Sequence, residues 1–179
     1  MSIQIFILSK LMEKNTYPYL LKKELSEPIP YDKMSDLTEN KLYYHFEKLS
    51  KKEFIEVVET IKEENRPDKQ VFKITEQGKE NLPNMMYKLF ENANEIEEIY
   101  VGIAYLKYVD RKKVVTILEN KVQDFKYSLK QPKEFLKKYE TVSKNEELLN
   151  FMWDYFNSKL TYKINFLEKI IETIKNRDI

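Results

Sequence analysis

The sequence predicts a mainly α-helical fold with one small β-hairpin, built as two domains, on three observations. Only 2 of the 179 residues are Gly while charged residues make up 34%, a composition that favours helices over tight-turned sheet. Apolar residues recur at helical spacing through most of the chain, and only between Glu53 and Thr75 does the period shorten to that of strands. Hydrophobic residues reach 42% and aromatics 13%, enough to bury a core in one domain with an appendage or in two small ones.

The elements follow in order. Ile3, Phe6, Ile7, Leu8, Leu11 and Met12 mark a first helix with one apolar stripe. Asn15 or Thr16 is expected to cap a second, with Pro18 in its first turn and Tyr17, Leu20, Leu21 and Leu25 along it. The two prolines of SEPIPYD (residues 26–32) end it. Thr38 is expected to cap a third helix that runs to about Lys51. The stretches EFIEVVET (53–60) and QVFKIT (70–75) then read as two strands around a polar tip, IKEENRPDKQ. Thr75 caps a helix from Glu76. Three helices, a hairpin and another helix is the order of a winged helix-turn-helix, assigned to residues 1–84.

Residues 85–179 read as a helical domain. Ile96 to Tyr108 is apolar and rich in Tyr, and Asp110 is expected to cap a helix through Gln131 with Val114, Leu118, Val122, Phe125 and Leu129 on one face. A polar connection with a short helix around EFLKKYE (134–140) leads to the last helix, from near Asn145. There Trp153, Phe156, Leu160, Ile164, Leu167, Ile171 and Ile174 advance by 3, 4, 4, 3, 4 and 3. Such a heptad-like seam has to be buried against another helix, in the same chain or in a partner.

Composition excludes several chemistries. With no Cys there is no disulfide framework, thiolate metal site or Cys nucleophile, and a single His, His45, cannot build a multi-histidine centre. The apolar start, Ile3 to Met12, is too short to span a bilayer and lacks a basic leader and cleavage site. No Gly-rich phosphate loop, H-E-x-x-H motif or nucleophile elbow occurs, and acid pairs such as Glu97–Glu98 and Glu146–Glu147 read as solvated surface. The expectation is a cytoplasmic protein that is not an enzyme, with no cofactor, no metal and no membrane contact.

Net charge is only +1, with −1 on residues 1–84 and +2 on 85–179, so a polyanion could bind only where positive charge is focused. The third helix focuses it. At ~100° per residue from Lys41, Leu49, Leu42 and Phe46 fall at about 80°, 100° and 140°, the core face. Lys41, Lys52, Lys48, His45 and Tyr44 fall at about 0°, 20°, −20°, 40° and −60°, a separate face without an acid. Tyr43 is expected at the edge of the core side, packed on the first helices. A helix with a core stripe and a distinct Lys/aromatic face, set before a hairpin, suits a DNA major groove. In the hairpin tip, Lys62, Arg66 and Lys69 stand among Glu63, Glu64 and Asp68, and an Arg there could enter a minor groove or meet phosphates.

Three segments carry a resemblance: ILSKLMEKNTYPYLLKKEL, LTENKLYYHFEKLSKKEFIEVVE and RPDKQVFKITEQGKENL. Together they resemble the N-terminal domain of PadR-type transcriptional regulators. The matching residues are Tyr19, the Leu42-Tyr43 pair of the recognition helix, the run from Leu49 to Ile55, and Thr75-Glu76 with Gly78. Pro18 stands where that family usually has Gly. The stretch IYVGIAYLKYVDRKKVVTILENKVQDFKYSLK is similar to the helical C-terminal dimerisation domain of the longer PadR subfamily.

The resemblance implies a repressor that binds palindromic double-stranded promoter DNA as a homodimer and is released by a small aromatic effector. The expected DNA contacts are Thr38, Asn40, Lys41, Tyr44, His45, Lys48, Arg66 and Lys69, and the expected dimer seam is Trp153, Phe156, Leu160, Ile164, Leu167, Ile171 and Ile174. Effector contacts are expected at Tyr100, Tyr105, Tyr108 and Trp153, against the plainer reading of these aromatics as core and interface. The alternative function is a protein-interaction module, a winged helix that pairs with another protein through its last helix.

Overall fold

The computed structural model describes residues 2–23, 38–63, 66–131, 137 and 145–176. The expected end of the second helix at SEPIPYD and the short helix around EFLKKYE lie outside those residues, residue 137 apart. The helices are α1 (Ser2–Glu13), α2 (Pro18–Lys23), α3 (Glu39–Lys51), α4 (Glu76–Asn92), α5 (Tyr100–Ala104), α6 (Arg111–Leu129) and α7 (Glu146–Asn176). Strands β1 (Ile55–Glu63) and β2 (Arg66–Ile74) stand between α3 and α4 as an antiparallel hairpin. The helix order and the hairpin are those of a winged helix. No described helix is long and apolar enough to cross a membrane.

The chain forms two compact units, Met1–Asp110 and Arg111–Ile179. The expected division after residue 84 falls inside α4. The reason is burial: Met86 and Leu89 of α4, and Val101 and Tyr105 beyond it, belong to the same apolar cluster as α1. Pro83 lies within α4 without ending it. An interior proline costs a helix about 3 kcal/mol, which the burial of Leu82, Met86, Leu89 and Phe90 on both sides of it offsets.

α1 is the centre of the first unit. α3, α4, α5 and β2 all pack on it, so residues from Gln4 to Ser9 and Leu11 are buried, not one stripe alone. Thr16 does not cap α2. It pairs with Phe72 in both directions, Thr16 N–H to Phe72 O at 3.1 Å and Phe72 N–H to Thr16 O at 2.9 Å, which adds a one-residue third strand to the hairpin. α2 starts one step later, with Pro18 in its first position, where its missing N–H costs nothing. The hairpin is also longer than its apolar residues indicate. Pairing continues through Ile61↔Lys69 to Glu63↔Arg66, with register shifts after Val57 and Ile61, because ladder hydrogen bonds need no apolar side chain.

The junction between α3 and β1 turns on Glu53, which has φ 59°. Its N–H donates to Ser50 O at 2.9 Å and its carbonyl accepts from Thr75 Oγ1 at 2.6 Å. The left-handed region costs a side-chain-bearing residue about 1–2 kcal/mol, part of which glycine returns through a more flexible unfolded chain. Glu53→Gly is therefore expected to raise stability by roughly 0.5–1 kcal/mol in urea unfolding. A drop would show that the Glu53 side chain contributes more than its backbone strain.

In the second unit α6 packs on α7. Two ion pairs, Glu119–Lys175 at 2.7 Å and Lys126–Glu168 at 2.6 Å, match early α6 with late α7 and so fix the pair as antiparallel. Exposed pairs like these set register more than stability. Val114, Val115, Leu118 and Val122 are buried on α6, and Leu149, Leu160, Ile164, Leu167, Ile171 and Ile174 on α7.

Candidate nucleic-acid interface

α3 is oriented by its core stripe. Leu42, Phe46 and Leu49 are fully buried, and the Phe46 ring meets Phe72 of β2 with centroids 5.1 Å apart. Thr38 caps the helix, its Oγ1 accepting from Lys41 N–H at 3.4 Å. With that stripe held inward, Lys41, Tyr43, Tyr44, Glu47 and Lys48 are exposed.

The wing stands beside α3 and leaves an open concavity of ≈ 730 Å³ between them. From the helical side Tyr17, Asn40, Tyr43 and Tyr44 line it, and from the wing Thr60, Lys69 and Gln70. Amides, phenols, a hydroxyl and the Lys69 ammonium therefore converge on one surface, together with the carboxylate of Asp68. Asn and Gln side chains match the paired donor and acceptor of adenine, and Lys meets guanine or phosphate. Lys69 Nζ lies 5.7 Å from the centre of the Tyr17 ring, and Lys48 Nζ lies 4.5 Å over Tyr44. Glu47 also faces this side, with Lys51 Nζ at 2.5 Å. Its hydrogen bond to Lys51 holds the carboxyl below its usual range, so it is ionised and its charge locally balanced.

Of the residues expected from the sequence, Asn40, Tyr44 and Lys69 meet in this concavity, and Lys48 reaches its rim by stacking on Tyr44. Lys41 and His45 lie on the adjacent face of α3 and do not line it. His45 is half-buried, edge-on to Tyr44 with centroids 5.3 Å apart. Burial, with the charge of Lys48 adding to it, holds its pKa below the ordinary value, so the imidazole is neutral at pH 7. The backbone of Arg66 opens β2, while its side chain lies outside the described residues.

Sequence reasoning missed Tyr17, Tyr43, Thr60 and Gln70. Tyr43 is 50% exposed rather than half-core, and it lines the concavity together with Tyr17 and Pro18. A signal for Gln70 existed. Phe72 and Ile74 are buried, and strand alternation carries the same face back to residue 70. The expected effector residues divide between the units. Tyr105 is buried, edge-on to Phe6 and stacked on half-buried Tyr108, both at 6.3 Å. Tyr100 is half-buried in the same unit. Trp153 is half-buried on α7, 5.7 Å from Phe156.

Residues 7–84 match the model of the transcriptional regulator PadR-like family. No curated protein matches the chain. Among solved structures, the chain is similar to Bacillus subtilis PadR in complex with operator DNA, at 14% identity over 96% of each chain with a TM-score of 0.43. It is similar to smu.1604c from Streptococcus mutans UA159 at 19% identity over 94% of this chain and 98% of that one, TM-score 0.41. It is also similar to the PadR-like transcriptional regulator BC1756 from Bacillus cereus at 16% identity over 97% and 96%, TM-score 0.40. The match to the transcriptional regulator PadR-like family runs over residues 7–84, from within α1 through the wing into α4.

Proposed function

We propose that this chain is a transcription regulator, a repressor, that binds double-stranded promoter DNA through α3 and the wing and acts as a homodimer in the cytoplasm. The observation that carries the reading is the concavity in which Asn40, Gln70 and Lys69 converge beneath the Lys48 rim, set within the segment that matches the family model. Asn40, Tyr44 and Gln70 would face base edges, while Thr38, Lys41, Lys48, Arg66 and Lys69 would meet phosphates. A two-fold dimer would address half-sites about one helical turn apart. Release by a small aromatic molecule is part of the proposal. Half-buried Tyr100 and Tyr108, and separately Trp153, offer rings to stack on, whereas Tyr105 is committed to the core.

Fluorescence anisotropy on DNA from upstream of the chain's own gene, across a salt series, tests the reading. Lys48→Ala/Lys69→Ala is expected to weaken binding at least tenfold and to lower the log–log salt slope by about 0.9 per lost phosphate contact. Asn40→Ala is expected to reduce discrimination against unrelated DNA by about 1–3 kcal/mol if it pairs with a base. Binding that ignores salt, or that the double variant retains, overturns the reading. The near-neutral net charge would then favour the protein-interaction alternative.

A further inference from the structure

Two carboxylates line the concavity between α3 and the wing, those of Glu47 and Asp68. Neither attracts a polyanion, and their surroundings differ. Glu47 is neutralised in place by Lys51. Asp68 is exposed, and no ion pair or hydrogen bond ties its side chain to another described residue. The backbone aims Asp68 inward all the same. Phe72 of β2 is buried against Phe46 of α3. Alternation along the strand puts Gln70 and then Asp68 on that same face, roughly 7 Å apart. Asp68 also falls where the ladder is irregular, between the pairs Ile61↔Lys69 and Glu63↔Arg66, and irregularities of this kind re-aim a side chain. It therefore lines the concavity across from Asn40, Tyr43 and Tyr44.

We propose that Asp68 is a specificity-determining residue of the DNA-reading surface: its carboxylate accepts a hydrogen bond from the exocyclic amino group of a cytosine in the major groove, and it turns away other base edges and phosphates. The inference rests on the DNA-binding reading above and deepens it by naming one base of the site.

The pattern of donors and acceptors narrows the choice to cytosine. An ionised carboxylate only accepts hydrogen bonds. Of the four bases, cytosine alone shows the major groove a donor with no acceptor beside it, its N4 amino group. Guanine presents N7 and O6, both acceptors, and thymine presents O4. Each of these would set lone pairs against the carboxylate. Adenine presents its N6 amino group next to N7, a pairing that the amides of Asn40 and Gln70 match on both atoms and a carboxylate on only one. A phosphate is kept away by like charge. Much of the selectivity is therefore rejection, which comes from a charge or an unmatched acceptor set against the wrong partner. A carboxylate already satisfied by a lysine, as Glu47 is, discriminates far less.

Selection from a randomised DNA duplex library, run side by side with the full-length wild type and Asp68→Asn, tests the proposal. Asn is nearly the same size as Asp but carries a donor beside its acceptor. The wild type is expected to select cytosine at a position where Asp68→Asn selects adenine. Fluorescence anisotropy on the selected duplex gives the magnitude. Replacing that cytosine·guanine pair by thymine·adenine is expected to weaken wild-type binding about tenfold and Asp68→Ala binding by less than about twofold. Asp68→Ala is also expected to bind unrelated duplex about two- to threefold more tightly, because a like charge no longer faces the phosphates. Asp68 is exposed, so both variants should keep the wild-type unfolding midpoint by circular dichroism. Variants that select the wild type's sequence with unchanged discrimination overturn the inference and leave the DNA-binding reading standing. A wild type that enriches no sequence, or whose binding ignores salt, overturns both.

Discussion

Gly78→Ala is expected to unfold the N-terminal unit at temperatures where the wild type is folded. In an open helix the same change stabilises, by about 0.5–1 kcal/mol, so the sign is decided by contact. A Cβ at residue 78 would stand 2.2 Å from the carbonyl oxygen of Phe54 and 2.8 Å from Cγ1 of Ile74. The carbonyl cannot withdraw freely. It accepts the Thr75 N–H at 3.0 Å, and the Phe54 N–H donates to Leu49 O at 3.0 Å, so moving it disturbs both the end of α3 and the cap of α4. Thr75 Oγ1 is tied in as well, accepting from Gly78 N–H at 3.1 Å and donating to Glu53 O at 2.6 Å. Overpacking costs about 1–3 kcal/mol and each disrupted hydrogen bond about 1, which gives roughly 3–4 kcal/mol against a total of about 5–15 for an ordinary domain. Thermal unfolding followed by circular dichroism measures it. Trp153, the only tryptophan, sits on α7 and reports the second unit by fluorescence at the same time. An unchanged or raised midpoint would show that the α3–β1 junction yields easily.

Phe46→Ala is expected to cost about 3–5 kcal/mol, the range for emptying a buried aromatic site. Phe46 is 1% exposed and its ring lies against Phe72, whose backbone is pinned on both sides of its pairing with Thr16. The surroundings therefore have little freedom to collapse into the cavity. Because this contact holds α3 beside the wing, DNA binding is expected to fall together with stability. Tyr44→Ala, half-exposed on the same helix, is the comparison: binding should weaken while the unfolding midpoint moves by less than about 0.5 kcal/mol. Equal stability losses in the two variants would show that α3 is not anchored through Phe46.

Local patterns could be read from the sequence with little ambiguity. Leu42, Phe46 and Leu49 share a face at helical spacing, and they are the buried stripe of α3. Thr38 and Thr75 sit ahead of apolar-periodic runs, and both cap helices. Other features depend on residues distant in the chain. Thr16 reads as a cap because threonine usually is one there, yet Phe72 offers it a backbone partner. Residue 84 reads as the end of the first domain, yet α4 runs through Pro83 with buried residues on either side of it. Tyr43 reads as half-core on a helical wheel, but a wheel says nothing of how far the wing stands from α3.

The sequence by itself determined the order of elements, the inward face of each long helix and the concentration of lysine and tyrosine on α3, because these follow from a helix period and a strand period acting on side chains in fixed positions. Only the tertiary structure decided which polar face of α3 looks into the concavity, where the first unit ends, and which part of the α7 seam α6 covers. Each of those depends on what packs opposite, and periodicity defines a face without naming the surface that meets it.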